Sequence, residues 1–201
     1  VIRVLLVHDA YLMRSALTAL LGRERDLQVS GSSWAAAVTR ALSVRPHVCV
    51  VDVDCPGAVR PAALTAQARG VTGPAPALLA LATAARPGAL RRAFDAGALG
   101  YVSKDAGPRR LLEAIRQVAE GERFVDESLA FGFLQAAEMP LTPRELSVLR
   151  MAAEGSTLAE IARQLHLSLG TVRNYMSAIT RKTGARNRVD AIRKSQHAGW
   201  V

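Results

Sequence analysis

The sequence predicts two joined domains: an α/β domain on a five-stranded parallel, doubly wound sheet, then an all-α domain of four helices. Three observations carry this. Residues 2–120 alternate short aliphatic runs with stretches of helical apolar spacing, five times over. From Leu141 onward every apolar cluster is helix-spaced. The net charge of +9 is uneven: residues 141–201 hold ten Lys/Arg against four Asp/Glu, and residues 1–140 hold sixteen against thirteen. The boundaries read as 1–120 for the first domain, 121–140 for a linker, and 141–201 for the second domain.

Ile2–Val7 is a near-continuous aliphatic run, so it reads as a strand covered on both faces. Leu12–Leu21 follows as a helix, Leu27–Ser30 as a short strand, Trp34–Leu42 as a helix and His47–Val53 as a second strong strand. Pro61–Arg69 reads as a weak helix, Ala77–Ala82 as a strand, Pro87–Ala96 as a helix and Leu99–Val102 as a strand. Pro108–Glu120 is amphipathic, with Leu111, Leu112, Ile115 and Val118 on one side. In such sheets ligands sit at the carboxyl ends of the strands, which directs attention to the residues just after the first and third.

Residues 121–125 read as an irregular exit, and Asp126–Glu138 as a linker helix capped by Asp126, before Pro140 interrupts. Thr142-Pro143-Arg144-Glu145 starts the next helix, with Thr142 as cap, Pro143 in the first turn and Glu145 closing a capping box. Gly155 ends it. Thr157–Leu165, Gly170–Lys182 and Arg188–His197 follow as helices, with Leu167-Ser168 as a turn and Gly184 as a stop.

Composition excludes some classes. The longest apolar stretch, Ala75–Ala85, is broken by Pro76 and falls short of the roughly 20 residues of a membrane span. Val1–Val4 reads as a strand, not a signal peptide, so the cytoplasm is the expected compartment, with no membrane partner. Cys49 and Cys55 match neither a disulfide framework nor a zinc spacing and are expected to be reduced thiols. A concentrated basic surface favours a polyanion, because neutralised phosphates release counterions.

Residues Leu158 to Tyr175 are the most specific signal. Small Ala162 sits where two helices cross, and Ile161, Leu165, Leu167 and Val172 hold the pair together. The second helix opens with Ser168, Thr171 and Arg173, so its N-terminal turn offers N–H groups to a phosphate while outward side chains reach base edges. From Leu141-Thr142-Pro143-Arg144-Glu145 to Arg188, this segment resembles the LuxR-type helix-turn-helix. The resemblance implies base contacts from Arg173, Asn174 and Ser177, with Thr171, Lys182, Arg186 and Arg188 toward the phosphates. Arg suits guanine and Asn adenine. The expected partner is double-stranded DNA carrying an inverted repeat, read by a homodimer.

His47-Val48-Cys49-Val50-Val51-Asp52-Val53-Asp54-Cys55-Pro56-Gly57 resembles the phosphoacceptor strand of two-component receivers, a flavodoxin-like fold, with Asp52 as the acceptor. The resemblance places a switch at Ala82, Thr83, Tyr101 and Lys104, and an Mg²⁺ site at Asp9, Asp52 and the carbonyl of Asp54. It implies a sensor histidine kinase as partner and phosphorylation as control. The two domains together resemble the NarL/FixJ class of response regulators. Arg86-Pro87-Gly88, Lys182–Arg188 and the ending Gly199-Trp200 resemble its DesR-like branch.

Two departures set this chain apart. The adjacent acids expected after the first strand are His8-Asp9, and imidazole is a poor ligand for a hard ion. The switch hydroxyl expected at the end of the fourth strand falls on Ala82. Thr83 is adjacent, but strand side chains alternate, so it should point elsewhere. Phosphorylation at Asp52 is therefore open. The alternative is a phosphorylation-independent receiver, gated by a ligand or constitutively dimeric. The predicted dimer surface is Leu12, Met13, Leu17 and Leu20 with Leu111, Ile115 and Val118. A remote alternative is a phosphatase-like enzyme, with Asp52-Val53-Asp54 as the Asp-x-Asp of a haloacid dehalogenase; against it, the motif follows the third strand, Pro56 stands where Thr or Val is usual, and no later acidic pair completes a metal site. An enzyme is not expected.

Overall fold

The computed structural model describes residues 1–55, 61–66, 75–137 and 139–201. The predicted Pro61–Arg69 helix and the Pro56-Gly57 pair thus lie partly or wholly outside the described residues.

The N-terminal domain is a parallel sheet in the order β2-β1-β3-β4-β5-β6. Its strands are β1 (Ile2–Val7), β2 (Leu27–Ser32), β3 (Val48–Asp52), β4 (Ala77–Ala82), β5 (Gly100–Ser103) and β6 (Phe124–Val125). The sixth strand corrects the predicted five. Phe124 pairs with Gly100, so residues read as an irregular exit close the sheet edge beside β5. A two-residue strand carries too little periodicity to be read from sequence.

Helices α1 (Tyr11–Leu21) and α5 (Pro108–Ala119) cover one face. The other is covered by α2 (Ala37–Val44), α3 (Ala62–Ala66) and α4 (Pro87–Asp95). Central strands are apolar on both sides because both faces are covered: Val4, Leu6, Val48 and Val50 face α1 and α5, while Leu5, Val7, Cys49 and Val51 face the other layer.

The predicted dimer surface is corrected in part. Leu111, Ile115 and Val118 are buried on the sheet, as the apolar stripe of an amphipathic helix must be, and cannot meet a partner. Leu17 packs on the same core, and Leu20 is partly buried beside it. Leu12 and Met13 are exposed, at 77% and 50%.

The segment read as a linker packs on this domain. Asp126 caps a 3₁₀ turn, Glu127–Leu129, by accepting from the Ser128 N–H, and α6 (Ala130–Ala137) continues from it. Leu129 is buried in the α/β core, and Phe133 meets Tyr101 edge-on at 4.8 Å.

The C-terminal domain holds α7 (Pro143–Ala153), α8 (Leu158–Gln164), α9 (Leu169–Lys182) and α10 (Arg188–His197) around Val148, Leu149, Ile161, Val172 and Ile179. The Thr142–Glu145 capping box forms as read, and α8 starts with a second one, Thr157–Glu160. His166 takes a left-handed φ of 55° in the turn between α8 and α9, a conformation non-glycine residues rarely adopt.

The two domains touch where α10 ends. The Gly88 N–H, in the first turn of α4, donates to the Ala198 carbonyl at 2.8 Å. Arg92 donates to the Gly199 carbonyl. Free N–H groups at a helix start thereby meet free carbonyls at a helix end. Gly88 is required there, because a Cβ would lie 2.4 Å from the Gly199 oxygen.

Candidate functional site: a recognition helix and an altered receiver pocket

The recognition helix is α9. Ser168 caps it, its hydroxyl accepting from the Thr171 N–H at 3.0 Å. Val172, Met176 and Ile179 are buried, which fixes the helix's rotation. Arg173, Asn174 and Ser177 fall on the opposite side and are exposed. Thr171 is half-buried and its hydroxyl shares a 2.8 Å bond with Ser168, so it supports the cap.

The other basic positions divide. Lys182 is committed within the domain, bonding Glu145 at 2.7 Å. Arg188 is also committed, donating to the Ser156 carbonyl at 2.6 Å. Both side chains, read from the sequence as phosphate contacts, are thus bonded within the domain. Burial works against ionised Glu145, but its bonds from Lys182 and Thr142 outweigh this and hold the carboxyl below its ordinary range. Arg186 is 87% exposed in its side chain and stays available.

The receiver pocket sits at the carboxyl ends of β1, β3 and β5. Asp52 ends β3 and is almost wholly buried. Its Oδ1 accepts from Lys104 Nζ at 2.6 Å and from the Asp54 N–H at 2.9 Å. Its Oδ2 faces His8 Nε2 at 3.0 Å. His8 Nδ1 accepts from the Ala10 N–H at 3.0 Å, so Nε2 carries the proton and donates to Asp52. The Trp34 indole donates to the Asp52 carbonyl at 3.0 Å, and the Trp34 N–H to Asp9 at 2.9 Å. Lys104 also bonds Asp54 at 3.0 Å; burial alone would depress it, but these two carboxylates raise its pKa.

Arg86, at the start of α4, donates one N–H to the Asp54 carbonyl and a second to the Gln196 carbonyl at 3.2 Å. One guanidinium therefore links the pocket to the C-terminal domain. Ala82 is buried in the core, and the Thr83 N–H, just past the strand, donates to Asp54. Tyr101 is turned inward, its hydroxyl bonding the Ala98 carbonyl. Burial pushes that phenol up to about 12.

Sequence reasoning missed three members of this pocket. Arg86 and the Trp34 indole act on backbone carbonyls, and Trp34 meets Asp9 through its own backbone N–H, contacts that leave no pattern in a sequence. Cys55 lies beside His8, its sulfur 3.9 Å from Nδ1. Its thiol is pushed up to about 11, by burial first and then by the Asp52 charge, so at rest it is protonated. Its place three residues after Asp52 was the available signal.

The residues from 4 to 116 match the sequence profile of the response regulator receiver domain, and those from 139 to 195 match that of the bacterial regulatory proteins of the luxR family. The chain belongs to the response regulators with a LuxR-type DNA-binding domain. It is similar to the response regulator RamR of Streptomyces coelicolor, with 51% identity over 100% of this chain and 98% of that one. The transcriptional regulatory protein DesR of Bacillus subtilis shares 36% over 99% and 98%. Among solved structures, the response regulator ChrA of a haem-sensing two-component system is 28% identical, covers 100% and 98%, and superposes with a TM-score of 0.55. As a response regulator, the chain is a DNA-binding transcription regulator of the NarL/FixJ class.

Receiver domains as a family bind Mg²⁺ at acidic residues, which makes the donor set here testable against that ion. Mg²⁺ needs near-octahedral oxygen ligands at about 2.0–2.1 Å. Here imidazole stands where an acid is expected, the Asp54 carbonyl is engaged by Arg86, and Asp9 Oδ1 accepts from the Trp34 N–H, so the set is short of the oxygen ligands an octahedral hard ion needs. The buried Asp54 Oδ1 has no partner among the described residues, but it belongs to a carboxylate whose other oxygen bonds Lys104 and Thr83. These residues do not fit the ordinary receiver Mg²⁺.

Proposed function

We propose that this response regulator binds an inverted-repeat operator as a homodimer, and that its receiver works without phosphorylation of Asp52. The observation that carries the DNA reading is the exposed stripe of Arg173, Asn174 and Ser177 on a helix whose other face is locked into a core. One such helix spans only a few base pairs, so two, related by a two-fold axis, are needed for a selective site. The phosphorylation-independent reading is supported by the closed state of Asp52, with His8 and Lys104 on its two oxygens. Dimer contacts are assigned to the exposed start of α1, Leu12 and Met13, in place of the buried side of α5. Asp52 and Asp54 hold Lys104 rather than perform catalysis, and the protein acts in the cytoplasm.

A second reading is favoured by one observation: Lys104 stands within reach of Asp52, where it would receive phosphoryl oxygens. In that reading a sensor histidine kinase phosphorylates Asp52 and shifts a pre-existing equilibrium toward the dimer.

Light scattering separates the two. Solution mass is measured for the protein alone, with Mg²⁺, and with Mg²⁺ and beryllium fluoride, and again on Asp52→Ala. Equal masses in all conditions are expected. A monomer-to-dimer shift that needs Asp52 establishes the second reading.

A further inference from the structure

His8, Asp52 and Cys55 bring a nitrogen, an oxygen and a sulfur donor together at the end of the sheet. One donor atom from each lies within 4.8 Å of the other two. Some point is then within about 2.8 Å of all three, and contractions of about 0.5 Å to the sulfur and about 0.7–0.8 Å to the nitrogen and oxygen give the ~2.0–2.3 Å bonds of a four-coordinate zinc-like ion. We propose that this pocket is a site for a borderline transition-metal ion, of the Zn²⁺ or Co²⁺ type, in place of the hard Mg²⁺ of ordinary receivers.

The chemistry of the donors selects the ion. Thiolate and imidazole favour Zn²⁺ and its neighbours, whereas carboxylate, carbonyl and water favour Mg²⁺. The same substitution that removes a hard ligand, His8 for an acid, therefore supplies a softer one. Three protein ligands leave a fourth position for water.

The surroundings supply an outer shell and a way in. Lys104 and the Trp34 indole hold Asp52, and a backbone bond from Asp9 reaches the Cys55 sulfur. A cleft of about 430 Å³, lined by His8, Asp52 and Lys104 at one end and by Met13, Leu17 and Leu111 beyond, opens onto the pocket.

The protons balance simply. On binding, the Cys55 S–H proton leaves to solvent and the His8 proton moves from Nε2 to Nδ1. That move gives up the bond from Ala10, an exposed residue whose N–H water can satisfy. The site stands on the pocket's geometry alone, whichever way the DNA-binding domain is controlled.

Titration of the full-length protein with Co²⁺ tests this. A stoichiometric near-ultraviolet thiolate-to-cobalt band with visible ligand-field bands is expected. Zn²⁺ should erase both, and millimolar Mg²⁺ should not. Cys55→Ser should remove the near-ultraviolet band. His8→Gln should weaken Co²⁺ binding by more than the about 10- to 100-fold that outer-shell changes cost. Circular dichroism verifies that each variant folds, and His8→Gln decides alone if Cys55→Ser does not. Absence of the band in the wild type, its survival in folded Cys55→Ser, unchanged affinity in His8→Gln, or displacement of cobalt by Mg²⁺ overturns the assignment.

Discussion

The recognition helix and the receiver pocket follow opposite rules. On α9 the buried residues recur every three to four positions and Arg173, Asn174 and Ser177 are left outside, so local periodicity sets which groups meet a partner. In the pocket the charges point at one another: His8 and Lys104 on Asp52, Lys104 on Asp54, and Arg86 on the Asp54 carbonyl. One region keeps its functional groups available to an outside polyanion, and the other satisfies them internally. A resemblance to a family transfers cleanly to the first kind of site. In the second, a single replacement such as His8 changes what every neighbour bonds to.

The largest expected effect tests whether the helical domain's internal ion pair is structural. Glu145 is buried and bonds both Lys182 and the Thr142 N–H. Glu145→Gln should cost about 2 to 3 kcal/mol, because it removes the charge from a buried acceptor that bonds Lys182 and weakens a cap. Its folded pKa lies below the ordinary 4.5, so the stability it contributes is full above that value and is lost as pH falls through the depressed folded one. Chemical denaturation between pH 7 and 3 should show a shallower loss in the variant. Parallel curves would mean that the carboxyl is no more stabilised folded than unfolded.

The next sharpens the contrast on the DNA side. Arg173→Ala should lose about 2 kcal/mol of discrimination between operator and altered sites, read by competition binding. Lys182→Ala should destabilise the domain while leaving the salt dependence of binding unchanged, since its charge is used internally. If Arg173→Ala weakens all DNA equally, or Lys182→Ala lowers the salt slope by one contact, the division between exposed and committed cations is wrong.

The smallest change in stability should come from Gly88→Ala. The added Cβ meets the Gly199 carbonyl, so the end of α10 must leave α4. Within its own helix the substitution gains up to about 1 kcal/mol in propensity. Small-angle scattering should report a larger radius of gyration with both domains still folded. An unchanged radius would show that the contact does not depend on Gly88.

Much of the fold was legible because most of its elements obey a simple period. The Ala77–Ala82 strand and the Arg188–His197 helix occur where the apolar pattern places them. The Thr142 capping box needs only four neighbouring residues and forms as read. β6 was missed because two residues carry no period, and its partner, Gly100, is 24 positions away. On α5 the stripe itself was legible, but a stripe says only that a face is apolar. That it faces the sheet and not a second subunit follows from the sheet being there.

The sequence by itself determined the alternation of strands and helices, the two domains, the place of Asp52 at the end of the third strand and the helix-turn-helix of the second domain. Each is encoded by residues close together in the chain. Tertiary structure alone decided that Cys55 meets His8 from 47 positions away, that Lys182 is held by Glu145, and that Arg86 joins the pocket to the end of α10. These are contacts between separate elements, that of Arg86 through backbone carbonyls, and only the packed fold brings such groups within bonding distance.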